Sequence, residues 1–194
     1  MSTGRRLATG VLLILAVAVI LTFCDWFCHV RQDVLAYRDP DSGSLLPDQP
    51  TLGVFAGFVG LGVLFVAGGA MLFGQEEGVG WTRSLVFLAV FIALYYGTGL
   101  LQDDPIVITS VYPLIWLVLL WAAGLDLWRL VVFSVLLAVA GPLAEGIRAD
   151  SGFFWYLQPD DFGVPLWLGS LYLCGAVALA ALITTAFRTT RPSV

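Results

Sequence analysis

Lysine is absent from the chain, and all nine basic residues are arginines. That absence excludes lysine Schiff-base chemistry and the phosphate-binding lysine of a P-loop. Charge of either sign is scarce: 12% of residues are charged, against about 25% in a soluble domain. With histidine present once, at His29, a hydrolytic triad or a histidine-rich metal centre has little to draw on. The formal net charge of −5 and a pI near 4.6 argue against nucleic acid, which needs a basic face. What the chain has instead is apolar residues, 59% of its 194 positions, with mean hydropathy +0.92. These values describe an all-α membrane protein, because a helix satisfies its own backbone in hydrocarbon.

A crossing needs about 20 mostly apolar residues. Six stretches satisfy this, at about 7–24, 52–73, 84–101, 106–125, 130–147 and 164–187. The connections between the last five are short, so the six spans are expected to form one bundle of antiparallel neighbours comprising a single domain over 1–194. Residues 25–51 read as an external loop over the mouth of the bundle. The basic-residue rule sets the direction. With both termini in the cytoplasm, that side holds Arg5, Arg6, Arg83, Arg129, Arg188 and Arg191 and only the acids Glu76, Glu77 and Asp126. Asp25, Asp33, Asp39, Asp41, Asp48, Asp103, Asp104, Glu145, Asp150, Asp160 and Asp161 then face outward. The first span is too long for a signal peptide and lacks a small-x-small cleavage site.

Few residues suggest chemistry. Cys24, Cys28 and His29 miss the haem-attachment spacing by one residue and read as the interfacial end of the first span. No G-x-S-x-G elbow occurs. The pairs Asp103-Asp104 and Asp160-Asp161 lie beside prolines in exterior turns. Glu145 is the acid set deepest in a span, and an ionisable group there is a functional candidate. Arg148, three residues on, lies on the same helical face and is expected to pair with it.

Small and aromatic residues are more informative. Gly53, Gly57 and Gly60 form a stripe on the second span that lets a neighbour approach its backbone. Phe91, Tyr95, Trp116 and Trp121 lie in spans three and four. Trp81, Trp155 and Trp167 are expected at interfaces. Together the glycine grooves and the aromatic spans suggest an apolar cavity with a few hydroxyls, suited to an amphipathic lipid. Burial of its tails would contribute about 25 cal/mol per Å². Ala140-x-x-x-Ala144 and Ala176-x-x-x-Ala180 suggest faces for a like subunit, a trimer being one admissible form.

From residue 81 onward the chain resembles the insulin-induced gene (Insig) proteins, six-span sterol-responsive membrane proteins of animal endoplasmic reticulum. The likeness is carried by Trp81-Thr82-Arg83-Ser84, Ala89-Val90-Phe91, Leu120-Trp121 before Asp126, and then Gly152, Tyr156, Pro159-Asp160 and Trp167-Leu168. It implies a non-enzymatic homologue with no cofactor beyond a bound lipid, and the arginine-rich, lysine-free composition points to a GC-rich bacterium as its source. The lipid would be diacylglycerol-like or sterol-like, lying against Gly53, Gly57, Gly60, Phe91, Tyr95, Trp116 and Trp121, and a membrane-protein partner would meet Asp126. Two other readings stand beside it. Asp126 would serve simply as the cap of the fifth span, and the protein would be a membrane enzyme modifying an isoprenoid or lipid with Glu145 and Asp160 or Asp161 as acid and base. An ion-coupled transporter lacks the second mid-membrane charge it needs.

Overall fold

The structure is a computed structural model that describes residues 3–38, 45–46 and 52–187. The acids Asp39, Asp41 and Asp48 and the arginines Arg188 and Arg191 lie outside the described residues. Six helices long and apolar enough to cross a membrane make up the fold: α1 (Thr3–Cys24), α2 (Leu52–Phe73), α3 (Trp81–Leu100), α4 (Pro105–Ala123), α5 (Leu127–Asp150) and α6 (Leu168–Ala186). Pro105 occupies the first turn of α4, where no backbone N–H is needed, and Gly124 ends that helix at φ +65°; the left-handed conformation is open to glycine without a Cβ clash.

The helices alternate in direction, so the first residues of α1 and the last of α6 share one end of the bundle. The opposite end is covered by a three-stranded antiparallel sheet in the order β2-β1-β3, from Leu35–Arg38 (β1), Leu45–Leu46 (β2) and Phe154–Tyr156 (β3). Leu35 stands opposite Tyr156 and Tyr37 opposite Phe154. Alternation along each strand turns Leu35, Tyr37, Phe154 and Tyr156 into the protein. We call these the terminal end and the sheet end.

The sixth helix is the axis. In its apolar window 78% of the residues are buried, against 28–39% in the other five, and α3, α4 and α5 all pack on it. Its residues are small enough to allow this: Ala176, Ala180 and Ala181 are fully buried. The Ala176-x-x-x-Ala180 stripe is therefore spent inside the bundle, contrary to the expectation that it faces a second subunit. Ala140 stays exposed and Ala144 half-buried.

Two boundaries differ from the sequence reading. The first helical path does not stop at Cys24: it widens into a π-helical turn at Asp25–His29, tightens at Val30–Gln32 and ends at Asp33 with φ 56°. Residues 25–32 are thus a helical extension of the first span, burying Asp25, Cys28 and His29, and not loop. At the other boundary α6 begins at Leu168 and not near Val164, because Asp160 accepts from the backbone N–H of Leu166 at 2.8 Å and donates its own N–H to Val164 O at 3.2 Å. That closed turn holds the chain off the helical path.

Candidate functional site: a polar cluster above an apolar cavity

Six elements bring hydroxyl and charged side chains together beneath the sheet. Asp25, in the π turn, accepts from Tyr37 Oη of β1 at 2.9 Å and from Tyr95 Oη of α3 at 3.2 Å, one on each carboxylate oxygen. One turn on, His29 places Nδ1 3.4 Å from Asp25 Oδ1 and Nε2 2.9 Å from Thr98 Oγ1. The His29 ring lies against Tyr95, centroids 4.5 Å apart, and against the edge of Trp167 at 5.7 Å. Trp167 is thus buried in the cluster instead of standing at a membrane interface. Trp81 is exposed, and Trp155 half-buried.

Glu145 forms the second half of the cluster. Its carboxylate accepts from Tyr172 Oη of α6 at 2.5 Å and from Tyr156 Oη of β3. Gly141, one turn earlier on α5, makes room for this: a Cβ there would stand 2.5 Å from the Tyr172 ring. The expected pairing of Glu145 with Arg148 is not what the protein builds. Arg148 turns to α2, where its guanidinium fills the groove left by Gly57, donates to Val54 O at 3.1 Å and lies over the rings of Phe58 and Phe154 at 5.0 and 5.2 Å. The glycine groove gives the arginine a backbone carbonyl and two aromatic faces, and the tyrosines satisfy the carboxylate. Burial pushes the phenols of Tyr37 and Tyr156 well above their ordinary range, and the neighbouring carboxylates Asp25 and Glu145 push them further.

At mid-bundle lies an apolar cavity of about 50 Å³, lined by Val17, Ile20 and Leu21 of α1, Phe65 of α2, Leu88 and Phe91 of α3, Leu137 of α5 and the Tyr172–Leu182 face of α6. Val17, Ile20, Leu88 and Phe91 are only partly buried, so the cavity opens sideways between α1 and α3. A narrow space of about 10 Å³ shares Leu21, Phe91 and Tyr172 with it and is bounded also by Tyr95 and Glu145. Hydrocarbon walls thus run up to hydroxyls and a carboxylate.

Of the residues expected to meet a lipid, Phe91 and Tyr95 line this space. The others do not. The groove of Gly53 is occupied by the Phe153 ring and that of Gly57 by Arg148, while an added Cβ on the exposed Gly60 meets nothing within 4 Å. Trp116 is partly buried against the core, and Trp121 is 85% exposed on the outside of the bundle. Asp126 lies at the terminal end, exposed, where its Oδ1 accepts from the Arg129 N–H at 2.9 Å and caps α5. Arg129 in turn pairs with Glu76 at 3.2 Å.

None of Asp25, His29, Tyr37, Tyr156 and Tyr172 was assigned to a site from the sequence. The signal available was the apolar Trp26-Phe27-Cys28 between Asp25 and His29, an i,i+4 pair carried on a continuing helix. Asp25, His29 and Thr98 also stand in the order of an acyl-transfer triad. Thr98, however, gives its hydroxyl proton to Tyr95 O at 2.6 Å, and His29 and Thr98 are fully buried, so no substrate carbonyl reaches them. Asp160, one of the acids expected to work with Glu145, is exposed and holds the turn before α6. Cys24, Cys28 and Cys174 are free and buried. Among the described residues no group of three or more His, Cys, Asp or Glu side chains is placed to hold a metal ion.

The fold and the site define a multi-pass helical membrane protein with a laterally open apolar cavity under a polar cap. Neither a protein-family model nor a curated protein matches the sequence. Solved structures do: the chain is similar to the crystal structure of MvINS, an Insig homolog from Mycobacterium vanbaalenii, with a TM-score of 0.72 at 24% identity over 96% of this chain and 97% of that one. A cross-linked trimer of a cysteine variant of MvINS is similar at a TM-score of 0.71 and 23% identity over the same shares. The fold of this chain is therefore that of a bacterial Insig homolog.

Proposed function

We propose that this chain is a bacterial member of the Insig family, resident in the plasma membrane, that binds one neutral amphipathic lipid and catalyses no reaction. The observation that carries the reading is the continuity from the hydrocarbon-walled cavity to Tyr95, Tyr172 and Glu145. Tails entering between α1 and α3 leave one hydrocarbon for another, so area burial of the kind that drives folding in water contributes little. Selectivity then rests on the head. The lone pairs left on Glu145 accept from a free hydroxyl. A diacylglycerol or a sterol presents such a hydroxyl directly on its apolar body, whereas in a phospholipid a charged phosphate stands between.

The cross-linked trimer known for MvINS and the exposed Ala140 support a homo-oligomer, and the exposed turn around Asp126 and Trp128 is where a membrane-protein partner would dock. In this reading occupancy of the cavity is a lipid signal passed to that partner.

Mass spectrometry of lipids retained through gentle detergent extraction tests the binding. Enrichment of a hydroxyl-headed neutral lipid over the host membrane is expected, and it should disappear in Ala178→Trp, which fills the cavity. Recovery of phospholipid in bulk proportion from both proteins would end the proposal.

A further inference from the structure

The buried His29 and Asp25 carry an inconsistency that one proton resolves. A carbonyl oxygen cannot donate, so the 2.6 Å contact between Thr98 Oγ1 and Tyr95 O commits the only Thr98 hydroxyl hydrogen to that bond. Toward His29, Thr98 can then only accept, and Nε2 must carry a hydrogen. If the ring were neutral, Nδ1 would present a bare lone pair to Asp25 Oδ1 at 3.4 Å. Nδ1 is buried and has no hydrogen-bond partner among the described residues, so two acceptors would face each other in a site closed to water. Unsatisfied buried groups of this kind are rare and ask for an explanation.

We infer that His29 is an imidazolium ion-paired with an ionised Asp25 across the 3.4 Å between Nδ1 and Oδ1, forming a buried proton-binding site that fastens the sheet to the first and third helices. The proton belongs on the ring because both Asp25 oxygens already accept from phenols, Tyr37 and Tyr95, and acceptance of that kind favours the carboxylate. Among the described residues His29 is the cation paired with Asp25, and an ionised Asp25 beside a neutral ring would be a buried charge without a counter-ion, which low-polarity surroundings disfavour strongly. Because Tyr37 of β1 and Tyr95 of α3 both end on Asp25, the pair is the knot between sheet, α1 and α3.

The site does not depend on lipid binding, and the single histidine makes it directly visible. Protein labelled with ¹⁵N-histidine, in lipid nanodiscs at pH 7, gives one pair of ring nitrogen signals. Both nitrogens protonated, with the Nδ1 proton protected from exchange, is the expected result; a neutral ring in either tautomer overturns the inference. In Asp25→Asn the Nδ1 proton should be lost and the ring become the neutral Nε2–H form, while the amides of Leu35 to Tyr37 exchange roughly tenfold faster, as expected for one lost hydrogen bond to a charged group. Retained imidazolium in that variant refutes the pairing, and unchanged exchange refutes the fastening role. If Asp25→Asn does not fold, the wild-type spectrum still decides.

Discussion

The two ends of the bundle hold their helices by different means. At the sheet end, Asp25, His29 and Glu145 are buried, and each is hydrogen-bonded to a side chain from another element. At the terminal end the charged groups are exposed: Arg83 donates to Ala122 O at 2.5 Å, Arg129 to Leu72 O at 3.1 Å and to Glu76. These are polar contacts to helix ends in reach of solvent, where a single pair contributes little. The same amino-acid types thus act as structural core at one end and as trimming at the other. Burial decides which.

Four substitutions or conditions sharpen that contrast. The largest effect belongs to Glu145→Ala, which strands the phenols of Tyr156 and Tyr172 and removes a carboxylate from a buried charge cluster; a loss of about 3–5 kcal/mol is expected, read by denaturant unfolding in detergent. Removing Glu76 at the other end should cost well under that, and equal losses would erase the distinction.

Alkali should act next. The folded state raises the pKa of Tyr37 and Tyr156 through burial and the adjacent carboxylates, so their contribution to stability is complete below about pH 10, the unfolded tyrosine value. It falls as pH rises further, by about 1.4 kcal/mol per pH unit for each residue. Unfolding monitored between pH 9 and 12 should steepen above 10, and Tyr37→Phe should flatten it in part.

Gly57→Leu should drive Arg148 from its groove and destabilise by about 1–3 kcal/mol, whereas Gly60→Ala, with open space at its Cβ, should be neutral or stabilise by up to about 1 kcal/mol. Thermal melts of the two side by side separate a filled glycine from a free one. The smallest change is Asp126→Ala, about 0.5–2 kcal/mol through loss of the α5 cap, with Asp126→Asn nearly silent. If Asp126→Asn also leaves recovery of any partner intact, only the capping role survives.

The spans were readable because hydrocarbon requires length and apolarity, and both are local properties of sequence. The Asp126 cap of α5 was legible for the same reason. The end of the first span was not. Asp25 and His29 look like the start of a loop until Tyr37, Tyr95 and Thr98 arrive, 12, 70 and 69 residues away. Glu145 was visible as a buried acid, but its partners were misread, since i,i+3 spacing named Arg148 and tertiary packing supplied Tyr156 and Tyr172. Gly53 and Gly57 show the limit most plainly: the sequence marks a groove, and only the fold reveals that Phe153 and Arg148 already fill it.

The burial of α6 has a consequence for biogenesis. A ribosome delivers helices in order, so the axis on which α3, α4 and α5 pack arrives after all of them. Until then Ser84 lacks Ala181 O and Thr185, its two hydrogen-bond partners at 2.9 Å, and Glu145 lacks Tyr172. The earlier helices can insert singly, as apolar spans do, but they must wait side by side in the bilayer with lipid where their centre will be. Closure of the bundle is then one late event in which α6 displaces that lipid, and any hydrocarbon chain left behind beside Phe65 and Leu137 would already be lying in the cavity.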